Sequence, residues 1–120
     1  MSQSQKNYKI DAIDYLEPLS YEVLHRIGNF ELLQPITFEL SYDMSDSLWC
    51  LENHGLALEG YGTSYNDAMR CLEENIEGHV LSFTRFPDSK QSEESLFIKK
   101  ELQKYIDFTQ VLAYLSERDL

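Results

Sequence analysis

Residues 65–83 constrain the fold more than any other segment, because their apolar side chains recur at the i, i+3, i+4, i+7 spacing of an amphipathic α-helix. The apolar positions are Tyr65, Ala68, Met69, Leu72, Ile76, Val80 and Phe83. The outer faces carry Asp67, Arg70, Glu73, Glu74 and Glu77. Gly78 lies inside this pattern at a cost of about 1 kcal/mol relative to alanine, so we interpret it as a point of close packing. The segment predicts a helix whose buried stripe another layer must cover.

The residues before this helix predict a tight turn and a helix cap. Thr63 or Ser64 is the predicted N-cap, and Asp67 approximates a capping box that places negative charge at the positive end of the helix. A glycine turn before a helix can also cradle phosphate, but such loops usually contain more glycine and a lysine and follow a parallel strand. We therefore interpret Gly60 and Gly62 as structural residues that let a strand and the helix approach closely.

An alternating segment precedes the turn. Residues 36–43, ITFELSYD, place apolar and polar side chains on opposite faces, the pattern of a half-buried strand. The turn-forming residues DMSDS follow, and then a strand LWCLE, a second turn at residues 53–55 and a strand LALEGY. Such short connections predict an antiparallel meander.

The segments on either side of this core leave alternatives open. In residues 8–34, Gly28-Asn29 fits a hairpin turn between two strands, and a short helix over residues 21–27 is the competing interpretation. Residues 93–116 predict a C-terminal helix that is apolar around more than half of its circumference. Such a helix needs cover on two sides, from a second chain or from the first helix and the sheet of the same chain.

These elements together predict one α+β domain over residues 1–120. It consists of an antiparallel meander of three or more strands, an amphipathic helix packed on one face of the sheet, and a second, C-terminal helix. The net charge of −11 argues against binding to a phosphate backbone and favours either a self-repelling soluble surface or a face that docks a basic partner. A polar N-terminal segment and the absence of a long apolar run predict a cytoplasmic protein that does not enter the membrane.

No motif predicts a catalytic, cofactor or metal site. His25, His54 and His79 lack the spacing of metal ligands. Cys50 lies close to His54 in sequence, but the first is predicted in a strand and the second in a turn, so we interpret Cys50 and Cys71 as reduced structural thiols. A small enzyme or ligand binder that uses these cysteines or His54 is the third and weakest hypothesis.

The order of an acidic turn, a tryptophan-bearing strand, a glycine-containing strand and a capped acidic helix resembles the HicB-like antitoxin domain over residues 36–83. The matching residues are Trp49, Gly60, Gly62, Thr63, Asp67 and Ala68. The resemblance implies a partial ribonuclease H-like fold and an oligomeric protein that blocks a small, basic, mRNA-cleaving toxin. Many relatives also carry a C-terminal DNA-binding segment, but residues 93–120 contain no basic helix-turn-helix or ribbon-helix-helix stretch, so DNA binding is not expected.

Two hypotheses lead from these observations. The first is a non-enzymatic antitoxin-like module that binds a small basic protein. The second is a homodimer or higher oligomer with a structural or regulatory role and no toxin partner. The predicted partner-binding residues are Glu73, Glu74 and Glu77 on the first helix and Phe108 and Leu112 on the second.

Overall fold

The computed structural model describes residues 19–118, which form a four-stranded antiparallel sheet and three helices. The strands lie in the order of the sequence and are β1 (Ser20–Ile27), β2 (Phe30–Asp43), β3 (Leu48–Asn53) and β4 (Leu58–Gly62). The helices are α1 (Tyr65–Arg85), α2 (Glu93–Gln103) and α3 (Phe108–Arg118). The predicted α+β class, the meander and the amphipathic helix are confirmed.

The first two strands form a hairpin that turns at Gly28, whose φ of 58° lies in the left-handed region that glycine favours. The strand interpretation of residues 8–34 is therefore confirmed from residue 19 onward, and residues 8–18 lie outside the described part. The register shifts along β1, because Leu24 pairs with Ile36 whereas Arg26 pairs with Glu31. Proline cannot donate a ladder hydrogen bond, and Pro35 lies in this irregular stretch.

Helix α1 packs on one face of the sheet, directly against β4. A Cβ atom added to Gly60 would lie 2.3 Å from the carbonyl oxygen of Ala68, so only glycine allows this approach. Ser64 caps the helix, since its hydroxyl accepts a hydrogen bond of 3.1 Å from the backbone N–H of Asp67. The fully buried side chains between the two layers include Phe38, Leu51, Leu58, Leu72 and Ile76.

Gly78 has a different environment from the one that the sequence predicts. A Cβ atom added there would meet nothing within 4 Å, and the residue is exposed. The interpretation of Gly78 as a point of close packing is therefore wrong. Close packing between the layers depends on the glycines of β4 instead.

The helix predicted over residues 93–116 is divided in two at residues 104–107. The backbone carbonyl of Tyr105 accepts a hydrogen bond of 2.7 Å from Leu33 in β2. The carboxylate of Asp107 accepts from the backbone N–H groups of Thr109 and Gln110, at 3.0 and 3.4 Å, in the manner of an N-cap. These tertiary and capping bonds replace helical ones, so the first helix ends and a second begins.

Helix α3 is held by α1 and by the β1–β2 hairpin of the same chain. The Gln110 side chain both accepts from the N–H of Glu31 at 2.8 Å and donates to its carbonyl at 3.3 Å. Phe30 meets Tyr114 edge to face, with ring centroids 5.4 Å apart. For α3, the two-sided cover predicted for the C-terminal segment is thus supplied within the described part of the chain, whereas Phe97 of α2 is 63% exposed.

Candidate functional site

The sheet face opposite α1 carries the most distinctive group of side chains. Side chains alternate along a strand, so the residues between those that pack against α1 point to the other side. The cross-strand pairs Tyr21–Glu39, Glu39–Glu52 and Glu52–Glu59 place four residues in one line across all four strands. We call Glu39, Glu52 and Glu59 the carboxylate row. We call the sheet side that carries this row, Tyr21, Val23, Cys50 and Tyr61 the open face.

The carboxylate row brings like charges together. Neighbouring strands lie about 4.8 Å apart, and like charges directly opposite each other destabilise a sheet. Within residues 19–118, no lysine or arginine forms an ion pair with these three glutamates. Their only side-chain hydrogen bonds in this part of the chain come from the hydroxyl of Tyr61, whose single proton is shared between Glu59 and, at 3.0 Å, Glu52.

The hydrogen bond to Glu59, followed by burial and the hydrogen bond to Glu52, raises the pKa of Tyr61 well above its usual range. The phenol therefore remains protonated and continues to donate to the row. Cys50, which pairs with Tyr61 across β3 and β4, is only 7% exposed. Burial, and then the charge of Glu52, raises the pKa of its thiol, so it is protonated and a poor nucleophile at neutral pH.

An apolar strip borders the carboxylate row. Tyr21 and Val23 alternate along the start of β1 on the side of the open face, and Leu19 immediately precedes the strand. Leu19, Tyr21 and Val23 are 61%, 66% and 57% exposed. We call these three residues the β1 strip. Because Tyr21 lies directly opposite Glu39, exposed apolar surface and negative charge adjoin on this face.

The acidic residues predicted on α1 do not form one free surface. Glu73 accepts hydrogen bonds from the backbone and side chain of Asn29, at 2.9 and 2.8 Å. Glu77 is only 8% exposed and forms an ion pair with Arg118 at 3.2 Å. Glu74 alone of the three is exposed. Two of the predicted partner contacts thus have structural roles within the chain.

Phe108 and Leu112 lie in the packing between α3 and the rest of the chain. Phe108 is 9% exposed and its ring stacks on Phe83 at a centroid distance of 6.5 Å. Leu112 is half-buried and packs against the same core. A role for these two residues in partner binding stays a prediction, and their surfaces are largely occupied by this chain.

The turn and cap residues occupy the positions predicted for them. Gly60 and Gly62 lie under the first turns of α1, and Thr63 donates to the Asp67 carboxylate at 3.2 Å. Hydrogen bonds from Thr63 and then Ser64 lower the pKa of Asp67 below its usual value. This group fixes the start of α1 and offers no chemistry beyond that.

Two surface hollows lie near the connection between β3 and β4, at the end of the sheet away from the start of α1. One, of about 370 Å³, is lined by β2, α2 and the 3₁₀ turn His54–Leu56. The other, of about 280 Å³, contains His54, Asn75 and His79. The Nε2 atom of His79 lies 2.6 Å from the carbonyl oxygen of Ala57 and donates to it. Among the described residues, no three histidine, cysteine, aspartate or glutamate side chains group as metal ligands.

No protein-family model, curated protein or solved structure matches this chain. The resemblance of residues 36–83 to HicB-like domains therefore stays a prediction from sequence. Between residues 19 and 118, no helix is long and apolar enough to cross a membrane.

Proposed function

We propose that this chain is a non-enzymatic interaction module, similar to a HicB-like antitoxin, that binds a small basic protein through its open face. The observation that carries the proposal is the carboxylate row, in which Glu39, Glu52 and Glu59 face one another across adjacent strands. A net charge of −11 extends the same preference to the whole molecule and attracts basic proteins over a distance.

The row costs the free protein stability, and a bound cation would recover it. Each like-charged cross-strand pair destabilises a sheet by roughly 0.2–1 kcal/mol, whereas an opposite charge at the same place stabilises it. A lysine or arginine of a partner that lies over the row would relieve two repulsive contacts at once. Electrostatic attraction of this kind mainly accelerates association and selects among partners.

The free state of Cys50 and Cys71 agrees with the reducing cytoplasm proposed as the location. A homo-oligomer without a toxin partner is the second candidate, and the exposed β1 strip is the observation that favours it.

DNA binding is not part of the proposal, because α2 and α3 carry nearly balanced charge. Their basic residues are Lys99, Lys100 and Arg118, and their acidic residues are Glu93, Glu94, Glu101 and Glu117.

The test compares two triple variants of equal charge. Glu39→Gln/Glu52→Gln/Glu59→Gln neutralises the row, and the control Glu93→Gln/Glu94→Gln/Glu117→Gln neutralises three exposed glutamates on α2 and α3. Both change the formal net charge from −11 to −8. Where a neighbouring gene encodes a small basic protein, titration calorimetry would measure the affinity of each variant for that protein.

The row variant should lose at least about tenfold in affinity, which corresponds to about 1.4 kcal/mol, and the control should lose much less. The difference should shrink as salt rises towards 1 M, because salt screens exposed charges. Equal losses in the two variants would reject the open face as the binding surface. The absence of any neighbouring basic protein, together with a stable homodimer, would reject the antitoxin-like role.

A further inference from the structure

The edge of the sheet formed by β1 lacks most of the features that protect exposed strands. A free edge presents unpaired backbone N–H and C=O groups, and proteins usually blunt such edges with short strands, proline or lysine. Strand β1 has eight residues and contains neither proline nor lysine. Its register shift, between Leu24 and Arg26, and the charge of Arg26 lie in its second half, and Glu22 points to the helix layer, where it accepts a hydrogen bond from Tyr65. The opposite edge strand, β4, has only five residues and contains two glycines. Within residues 19–118, β1 is therefore the better template for an added strand.

The β1 strip adds side-chain surface to this edge. Leu19, Tyr21 and Val23 are each more than half exposed; Tyr21 and Val23 lie on one side of the strand, and Leu19 comes directly before it. Single exposed apolar residues are common, but a contiguous set on an unprotected edge indicates an interaction surface. Tyr61 adds a fourth exposed side chain with an apolar body, 38% accessible, on the same open face.

We propose that the basic partner binds by adding a β-strand along β1, with apolar side chains against the β1 strip and basic side chains directed towards the carboxylate row. This inference rests on the proposed function and specifies how the partner is recognised. Backbone pairing would provide affinity, and alternate side chains would provide specificity, as in other strand-addition complexes.

The geometry places charge within reach of such a strand. A residue opposite Tyr21 on the added strand would be two strand spacings, about 10 Å, from Glu39, since Tyr21 and Glu39 are directly paired. A long basic side chain and a glutamate extended towards each other can close that gap. A second copy of this chain fits less well, because each copy carries a net charge of −11 and the pairing would join two carboxylate rows in one sheet.

The probe is the synthetic eight-residue peptide Arg-Thr-Val-Thr-Arg-Thr-Val-Thr, tested on the full chain. Alternate residues share one face of a strand, so its arginines and valines can both lie over the open face. Its control is the same peptide with every backbone nitrogen methylated, which keeps the charge and side chains but removes all backbone donors. Affinities would be measured by calorimetry, and amide hydrogen exchange would be followed by NMR at Tyr21 and Val23. Two matched chain variants are Val23→Thr, which removes part of the β1 strip, and Leu33→Thr, which alters an exposed leucine outside it.

We expect the unmodified peptide to bind at least about tenfold more tightly than its methylated twin and to slow amide exchange on β1. Val23→Thr should weaken this binding, and Leu33→Thr should not. If the methylated peptide binds equally well and amide exchange on β1 is unchanged, the proposed strand addition is wrong. If binding nevertheless still depends on the carboxylate row, the proposed function is unaffected.

Two further outcomes separate the hypotheses. If neither peptide binds at low salt and the neighbouring basic protein also fails to bind, the proposed function itself is wrong. If light scattering shows a dimer whose β1 amides are already protected without peptide, a second copy occupies the edge and the inference is overturned. A monomer with the same protection would show that the edge is already covered by this chain, which overturns it equally.

Discussion

Replacement of Gly60 by alanine tests the closest contact between the helix layer and the sheet. A Cβ atom at this position would lie 2.3 Å from the carbonyl oxygen of Ala68, and 2.6 and 2.8 Å from the backbone nitrogen and Cβ of Leu72. Two of these three atoms belong to the backbone of α1 and cannot rotate away. The only adjustment is a shift of α1 away from β4, which opens the core between Leu51 and Leu72, both 0% exposed.

We expect the loss of stability caused by this shift to lie at the upper end of the range for overpacked cores. An extra methyl group in a tight core usually costs 1–3 kcal/mol, and more where the neighbours cannot yield. We therefore expect Gly60→Ala to lower the free energy of unfolding by about 3 kcal/mol. A domain of this size loses about 4 °C in Tm per kcal/mol, so Tm should fall by roughly 12 °C.

Urea unfolding followed by the fluorescence of Trp49 measures this loss, and Gly78→Ala is its control. Gly78 lies inside α1 with nothing within 4 Å of an added Cβ, so alanine there should raise stability by about 0.5–1 kcal/mol. A Gly60→Ala protein within about 0.5 kcal/mol of the wild type would refute the contact between β4 and α1. A destabilised Gly78→Ala protein would refute the open environment assigned to that glycine.

Three other substitutions test the cap, the core and the open face. Ser64→Ala should cost about 1 kcal/mol in urea unfolding, because it removes the hydroxyl that accepts from Asp67; an unchanged midpoint would contradict the cap. Phe108→Ala should lower the free energy of unfolding by about 3 kcal/mol and leave the mass measured by light scattering unchanged, since Phe108 is 9% exposed within this chain. A lower mass with unchanged stability would show that Phe108 lies in an interface between chains. The fold raises the pKa of Tyr61 above the usual 10.0, so the stability that this phenol contributes is complete below pH 10 and is lost as the pH rises further. The urea midpoint should fall from pH 9 to pH 11, and it should fall less in Tyr61→Phe; equal declines in both proteins would exclude Tyr61 as a cause.

The elements that could be predicted from the sequence are those whose determining residues lie close together in the chain. The alternation of residues 36–43 predicts the C-terminal part of β2, and Gly28-Asn29 predicts the hairpin turn. The cap at Ser64 was predictable because its hydrogen bond spans only three residues. The break at residues 104–107 also has a local signal, since Asp107 is a good N-cap, but the apolar pattern continues through it and conceals the boundary.

The open face depends on register, which local patterns do not contain. Glu39, Glu52 and Glu59 are separated by thirteen and seven residues in sequence, and only the pairing of β2 with β3 and β3 with β4 aligns them. The contacts of Glu73 and Glu77 also could not be predicted from local patterns, because their partners Asn29 and Arg118 are 44 and 41 residues away in sequence. A helix with an acidic outer face therefore looks like a binding surface until its long-range partners are known.

The pairing of Gln110 with the backbone of Glu31 has a consequence for folding. These residues are 79 positions apart, so the first hairpin acquires its final neighbour only when α3 arrives. Phe30, which is 1% exposed in the finished molecule and packs its ring against Tyr114 of α3, stays partly uncovered until that step. During synthesis on the ribosome, the early hairpin would thus expose apolar surface until α3 is made, and a chaperone could bind it there.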